Sequence, residues 1–204
     1  MPLTFTLQDQ ANITAVLAKP GNIWDDELIV QVKVKIKNFY TNNDLSQCCY
    51  CGTVFQGIHR MNIDIEHVLP KSKYRPLTFE PGNLNVACKK CNLTSKGQKI
   101  DFLHDPVAMG TDYYHSSHYK FIHPNLDTYT DHLKIITSRN GNTILHKYIV
   151  QNEHKGRYTY NYFHLEDFEI NYINVAQGIK EKSFISEKIS DFVRSQLMIL
   201  LSRI

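Results

Sequence analysis

Apolar and polar residues alternate over residues 61–65, the two-residue period of a half-buried strand. Residues 54–57 form a second short apolar run, and the spacing predicts that the two pair as a hairpin. Leu28, Val32, Ile36 and Phe39 recur at helical spacing, while Val30, Val32, Val34 and Ile36 also alternate as a strand would. The helix is the expected form. Asn22 is placed to cap it, Asp25, Asp26 and Glu27 suit its first turn, and Asn42-Asn43-Asp44 ends it. Residues 1–20 are mildly apolar and stop at the Pro20-Gly21 break. Residues 70–82 hold Pro70, Pro76 and Pro81 and read as a loop. A helix is expected over residues 90–96, stopped by Gly97. Residues 133–136 and 143–145 flank Arg139-Asn140-Gly141-Asn142, a hairpin signature. At the end, Ile185, Ile189, Phe192, Val193, Leu197, Leu200 and Ile204 make a helical stripe, with a helix expected over residues 183–204.

A hydrophobic content of 42% and a charged content of 21% over 204 residues support one full core, or a core with a small appended unit. The apolar run 197–201 is too short to span a bilayer. The first residues lack the basic and apolar regions of a signal peptide. The expected location is cytoplasmic, with thiols reduced and no membrane contact. The net charge is +3, but residues 33–99 hold 11 Lys and Arg against 4 Asp and Glu. That local surplus suits a site that meets phosphates, and it equally suits an ordinary solvated basic face.

The surplus coincides with two CxxC pairs, Cys48/Cys51 and Cys88/Cys91. Four thiols at this spacing suit a tetrahedral structural zinc site better than disulfides. The 36 residues between the pairs exceed a short zinc ribbon, so an insert must project from the site. Cys49 is left over, because using it in place of Cys48 would turn CxxC into CxC.

The insert contains Glu66 and His67, and Asn83 and Asn92 lie beside the second pair. Each alone has an ordinary explanation, as a surface residue or a cap. Together they fit phosphodiester hydrolysis. Neutral imidazole suits deprotonation of a water near pH 7, and a carboxylate with an amide oxygen suits a hard divalent ion that keeps several waters. Adjacent residues of a strand point to opposite sides, so Glu66 and His67 converge on one phosphate only if the strand ends there.

EHVLPKS, then NLNVACKKCN, then KG, preceded by CxxCG, resembles the signature of the HNH nucleases, the His-Me finger or ββα-metal fold in its zinc-stapled form. The resemblance covers residues 48–97. It implies that His67 is the general base and that Glu66 and Asn92 hold a catalytic Mg²⁺ or Mn²⁺. It implies further that Asn83 braces the loop presenting His67, and that Cys48, Cys51, Cys88 and Cys91 hold zinc. Many members carry Asp where this chain has Glu66, and His where it has Asn92. Lys71, Lys73, Lys89, Lys90 and Lys96 are placed to meet a nucleic-acid backbone. CCYCG, IDIEHVLPKSKY, ACKKCN and FIHPNLDTYTDHL are also similar to stand-alone HNH proteins of Septu-type and retron-linked anti-phage operons, which implies an SMC-like ATPase partner. His123, Asp127 and His132, in the last of these segments, read as structural.

The expected fold is α+β, a ββα-metal core stapled by a four-cysteine zinc site and surrounded by N- and C-terminal helices. Residues 1–45 are expected to form a helical region that packs on the core, 46–105 to form the core, and 106–204 to hold the hairpin and terminal helices. The expected function is a metal-dependent endonuclease acting on nucleic acid, DNA rather than RNA, in anti-phage defence. The alternative is a zinc-stabilised nucleic-acid-binding or partner-docking module without catalysis.

Overall fold

Thr6 and Asp9 start the first helix. The Thr6 side chain accepts from the Asp9 amide while the Asp9 carboxylate accepts from the Thr6 amide, a reciprocal box that satisfies two otherwise unpaired donors. The computed structural model describes residues 2–42, 46–140 and 143–171. Helix α1 spans Leu7–Leu17, a helix that the mild apolar pattern of residues 1–20 did not predict. The expected second helix is present as α2, Val30–Thr41, preceded by a 3₁₀ turn at Glu27–Ile29. Asp26, not Asn22, caps that turn, and Asn22 instead accepts from the Trp24 amide. Val32 and Ile36 of α2 are buried, whereas Leu28 and Phe39 are exposed.

Strand β1 is Ile63–His67 and strand β2 is Leu84–Cys88, and they pair antiparallel with Ile63 opposite Cys88 and His67 opposite Leu84. The expected hairpin with residues 54–57 does not form, and Val54 makes only an isolated bridge to Gln47. The run at 84–88 out-competes the nearer one because it gives β1 a full five-residue ladder. The β-ribbon lies between two apolar clusters. Leu84 joins Val16, Ile29, Val32, Ile36 and Phe79 on the α1–α2 side. Ile63 and Val86 join Tyr50, Phe102, Phe121 and Phe163 on the other.

After β2 the backbone enters a π-helix, Lys90–Lys96, with the Gly97 amide bonded to the Asn92 carbonyl. Such wide turns are uncommon and concentrate at functional sites. A short helix α3, Pro106–Met109, follows. Strands β3, Leu133–Asn140, and β4, Thr143–Val150, are neighbours in a sheet and longer than their sequence pattern predicts. Helix α4 is Lys155–Tyr162.

The chain divides into two compact units. The first lies within Met1–Thr137 and His146–Glu169 and contains both apolar clusters and the β1–β2 ribbon. The described part of the second is residues 138–140, 143–145 and 170–171, the end of β3, the start of β4 and the short strand Ile170–Asn171. Helix, 3₁₀ turns and small antiparallel sheets together make the fold α+β. The expected apolar helix over residues 183–204 lies outside the described residues. No described helix is long and apolar enough to cross a membrane.

Candidate active site and zinc centre

Two turns bring the four thiols together. The first runs through Cys48–Cys51 and closes with the Gly52 amide on the Cys48 carbonyl. Gly52 has φ +68°, where a side chain is strained, and a Cβ there would meet Ile135 Cδ1 at 2.1 Å and force that methyl group aside. The second turn is the β2 end and the start of the π-helix. The Sγ atoms of Cys48, Cys51, Cys88 and Cys91 all lie within 4.8 Å of one another, and three of these residues are buried. No disulfide links them. Hydrogen bonds from Cys48, Cys51 and Cys91 hold the Cys88 thiol well below its ordinary range. A buried, converging, reduced S₄ set fits a structural zinc ion. Cys49 stands outside the group, its amide bonded to the Val86 carbonyl.

His67 is the last residue of β1 and is 6% exposed. Its Nε2 lies 3.0 Å from the Thr78 carbonyl oxygen. A carbonyl only accepts, so Nε2 carries the proton and Nδ1 carries the free lone pair. Among the described residues, the buried side-chain atoms without a partner are Glu66 Oε2, Ser95 Oγ and His132 Nδ1. His67 Nδ1 is not one of them. It makes no hydrogen bond among the described residues, and His67 lines a cleft of about 830 Å³ together with Trp24, Lys71, Arg75, Asn92 and Lys96 among others. Burial first, and then the Lys71 charge, lower the imidazole to about 3. His67 is therefore neutral at physiological pH.

Asn83 holds the loop after β1. Its Oδ1 accepts from the Leu69 amide at 2.7 Å, and its Nδ2 donates to the Leu69 and Leu77 carbonyls at 3.0 and 3.1 Å. These bonds bolt residues 69–77 to the start of β2.

Glu66 points away from His67, as strand alternation requires. It is fully buried, and its Oε1 accepts from Tyr50 Oη at 2.9 Å and from Lys96 Nζ at 2.8 Å. Burial pushes the carboxyl up, and Lys96 opposes that push. Asp64, two residues earlier on the same face, accepts from Asn92 Nδ2 at 3.1 Å and from Lys89 Nζ at 3.0 Å. A carboxylate only accepts, so the Asn92 nitrogen faces Asp64, and its amide oxygen makes no hydrogen bond among the described residues. The strand face and the π-helix thus meet through two pairs, Asp64 with Asn92 and Glu66 with Lys96. No hydrogen bond joins Glu66 to Asn92. The donor chemistry still fits a divalent ion, since Glu66 Oε2 is buried and unsatisfied and Asn92 Oδ1 keeps its lone pairs.

The five candidate lysines part company. Lys71 and Lys96 line the cleft. Lys89 pairs with Asp64, Lys90 pairs with Asp167 and lies over the Phe168 ring, and Lys73 is exposed. His123 is buried and accepts from the Asn125 amide, and Asp127 pairs with Lys155. Pattern reading missed Asp64, Thr78, Arg75 and Trp24. Asp64 was visible as a second carboxylate on the strand face. The other three belong to no motif.

The cysteine cage, the ribbon, the recessed imidazole and the following helix occupy one continuous stretch. Residues 48–98 match the family model of the HNH endonucleases. They form an HNH domain. No curated protein and no solved structure shows a significant match to the chain. The HNH segment covers both Cys pairs, β1, β2 and the π-helix, and it supports a nuclease-type function in general. Trp24, which also lines the cleft, lies outside it.

Proposed function

We propose that the chain is a metal-dependent HNH endonuclease that hydrolyses phosphodiester bonds in nucleic acid, DNA rather than RNA, with His67 as general base. One observation carries this reading: His67 Nε2–H donates to the Thr78 carbonyl, which leaves the Nδ1 lone pair free in a residue that lines a cleft with Lys71 and Arg75. A binding module needs no such arrangement. Nδ1 takes a proton from water as that water attacks phosphorus. The incoming phosphodiester brings negative charge beside an imidazole held near 3 and raises its proton affinity in the step that needs it. Lys71 faces the charge that builds on the phosphate, and Asn83 keeps the loop and thereby the imidazole in place. Glu66 Oε2 and Asn92 Oδ1 are the atoms that would hold a divalent ion, which supplies positive charge to the phosphate and the leaving oxygen. The resemblance implies 5′-phosphate and 3′-hydroxyl products. The separate similarity to stand-alone HNH proteins of Septu-type and retron-linked operons implies an anti-phage role with an SMC-like ATPase.

One observation favours the second reading, a zinc-stabilised binding module without catalysis. Lys96 already supplies a cation to Glu66. The test is cleavage of plasmid, single-stranded DNA and total RNA with Mg²⁺ or Mn²⁺, with and without the ATPase, for wild type and His67→Ala. Cleavage that His67→Ala abolishes supports the nuclease. Absence of any cleavage supports the module.

A further inference from the structure

The indole of Trp24, the single tryptophan of the chain, stands against the imidazole of His67. The ring centroids are 4.7 Å apart at 78°. Behind it, Phe79 stacks at 6.0 Å and 26°, which fixes the ring plane. Trp24 is half-buried and lines the same cleft, and its indole N–H makes no hydrogen bond among the described residues. Two ammonium groups share this one ring, Lys33 Nζ at 5.4 Å and Lys71 Nζ at 5.2 Å from its centroid, and Lys33 Nζ also donates to the Trp24 carbonyl at 2.7 Å. The turn that carries Trp24 is clamped to the HNH segment by Arg75, which donates to the carbonyls of Leu17, Lys19 and Gly21. Those carbonyls lie at and beyond the end of α1, where helix geometry leaves acceptors open. The clamp fixes the ring beside His67 although 43 residues separate them in sequence.

A half-buried aromatic in the wall of a cleft, with two cations over it, has an unusual demand. Each cation–π contact is weak, and the two like charges repel. A phosphodiester strand meets both needs, with its phosphates going to the lysines and a base going to the ring. Stacking of this kind needs an exposed base face, which paired and stacked duplex bases do not offer. We propose that Trp24, with Lys33 and Lys71, is the subsite for the nucleotide next to the scissile phosphate, and that the substrate enters as an unpaired strand. The proposal rests on the nuclease reading of the cleft, and it assigns substrate contact to a part of the chain outside the HNH segment.

Binding is measured in the full-length His67→Ala protein, so turnover does not enter, by the fluorescence of Trp24 itself and by anisotropy of labelled strands. Three probes are used: a single-stranded oligonucleotide, the same strand carrying abasic positions, and the duplex. The base-bearing strand quenches Trp24 and the abasic strand leaves its emission unchanged. Trp24→Ala weakens the base-bearing strand about 5- to 150-fold, the range for one lost base stack, and the abasic strand less than about twofold. Trp24→Phe recovers part of the loss. Lys33→Gln and Lys71→Gln each lower the salt dependence of binding by about one phosphate. Equal weakening of both strands by Trp24→Ala would assign the ring a purely structural role and overturn the proposal. So would tighter binding of duplex than of single strand, or Trp24 emission in the His67→Ala protein unchanged by a strand that binds. If Trp24→Ala does not fold, Trp24→Phe and the quenching of Trp24 in the His67→Ala protein decide by themselves. Cleavage by wild type is scored separately, so a failed nuclease reading with intact quenching is told apart from a failed subsite.

Discussion

Lys96 Nζ lies 2.8 Å from Glu66 Oε1, and the two side chains are 2% and 0% exposed. An ion pair so far from water is sustained by mutual compensation, and removing one partner strands the other charge. Lys96→Met leaves the Glu66 carboxylate with only Tyr50 as donor and lowers stability by about 3–5 kcal/mol near neutral pH. The loss shrinks as pH falls, because a protonated Glu66 no longer needs the ammonium. Adding Glu66→Leu to Lys96→Met recovers most of it. Chemical denaturation of the single and double variants checks this, and a double variant no more stable than Lys96→Met would contradict it.

The same pair marks where sequence reading reaches its limit. Alternation along residues 61–67 is enough to place Glu66 opposite His67. Its partner is set by the π-helix, which brings Lys96 under the strand, and no local pattern encodes that register. The cysteine cage and the strand carrying His67 are legible because spacing and period are local properties. The partner of β1 is not, since a run 17 residues downstream replaces the nearer one. Helix α1 has a visible Thr6/Asp9 box but weak periodicity. Trp24 approaches His67 through Arg75, a contact between segments that share no motif.

The four-cysteine cluster ties the first turn to the second, and structural zinc sites of this kind fold with their metal. Elemental analysis of purified protein gives one zinc per chain. Cys88→Ser and Cys91→Ser yield aggregated or unfolded protein rather than a slower enzyme. Folded protein free of zinc would contradict the cage.

Asn83 makes three buried hydrogen bonds to the loop that follows His67. Asn83→Ala leaves the Leu69 amide without its acceptor, at about 1–3 kcal/mol for a buried unpaired group. The variant stays folded, melts earlier, and loses cleavage rate in larger measure than substrate affinity. A variant with lowered stability but the wild-type rate would remove Asn83 from the site.

Burial lowers both His67 and His123 from 6.5 to about 3. Asp127 pulls His123 the other way, Lys155 reinforces the shift, and the Tyr119 ring packs at 4.4 Å. Below pH 6.5 the unfolded chain takes up protons that the folded one refuses, so stability falls as pH drops toward 3 and the loss is complete below it. His123→Asn makes the slope shallower by about 1.4 kcal/mol per pH unit. Urea midpoints between pH 6.5 and 4.5, above most carboxylate titration, measure it. A slope identical to wild type would mean that His123 is protonated in the folded protein.

The central claim is that His67 Nδ1 removes the proton from the attacking water. Its most direct test is single-turnover cleavage by wild type and His67→Ala in Mg²⁺ and in Mn²⁺, each protein first shown to be folded and zinc-loaded. The rate falls by about 10²–10⁴ in His67→Ala, and Mn²⁺ does not restore it, because the defect lies in proton transfer. Glu66→Ala and Asn92→Ala also slow cleavage, and Mn²⁺ partly restores them if they remain folded. Equal cleavage by wild type and His67→Ala would contradict the account.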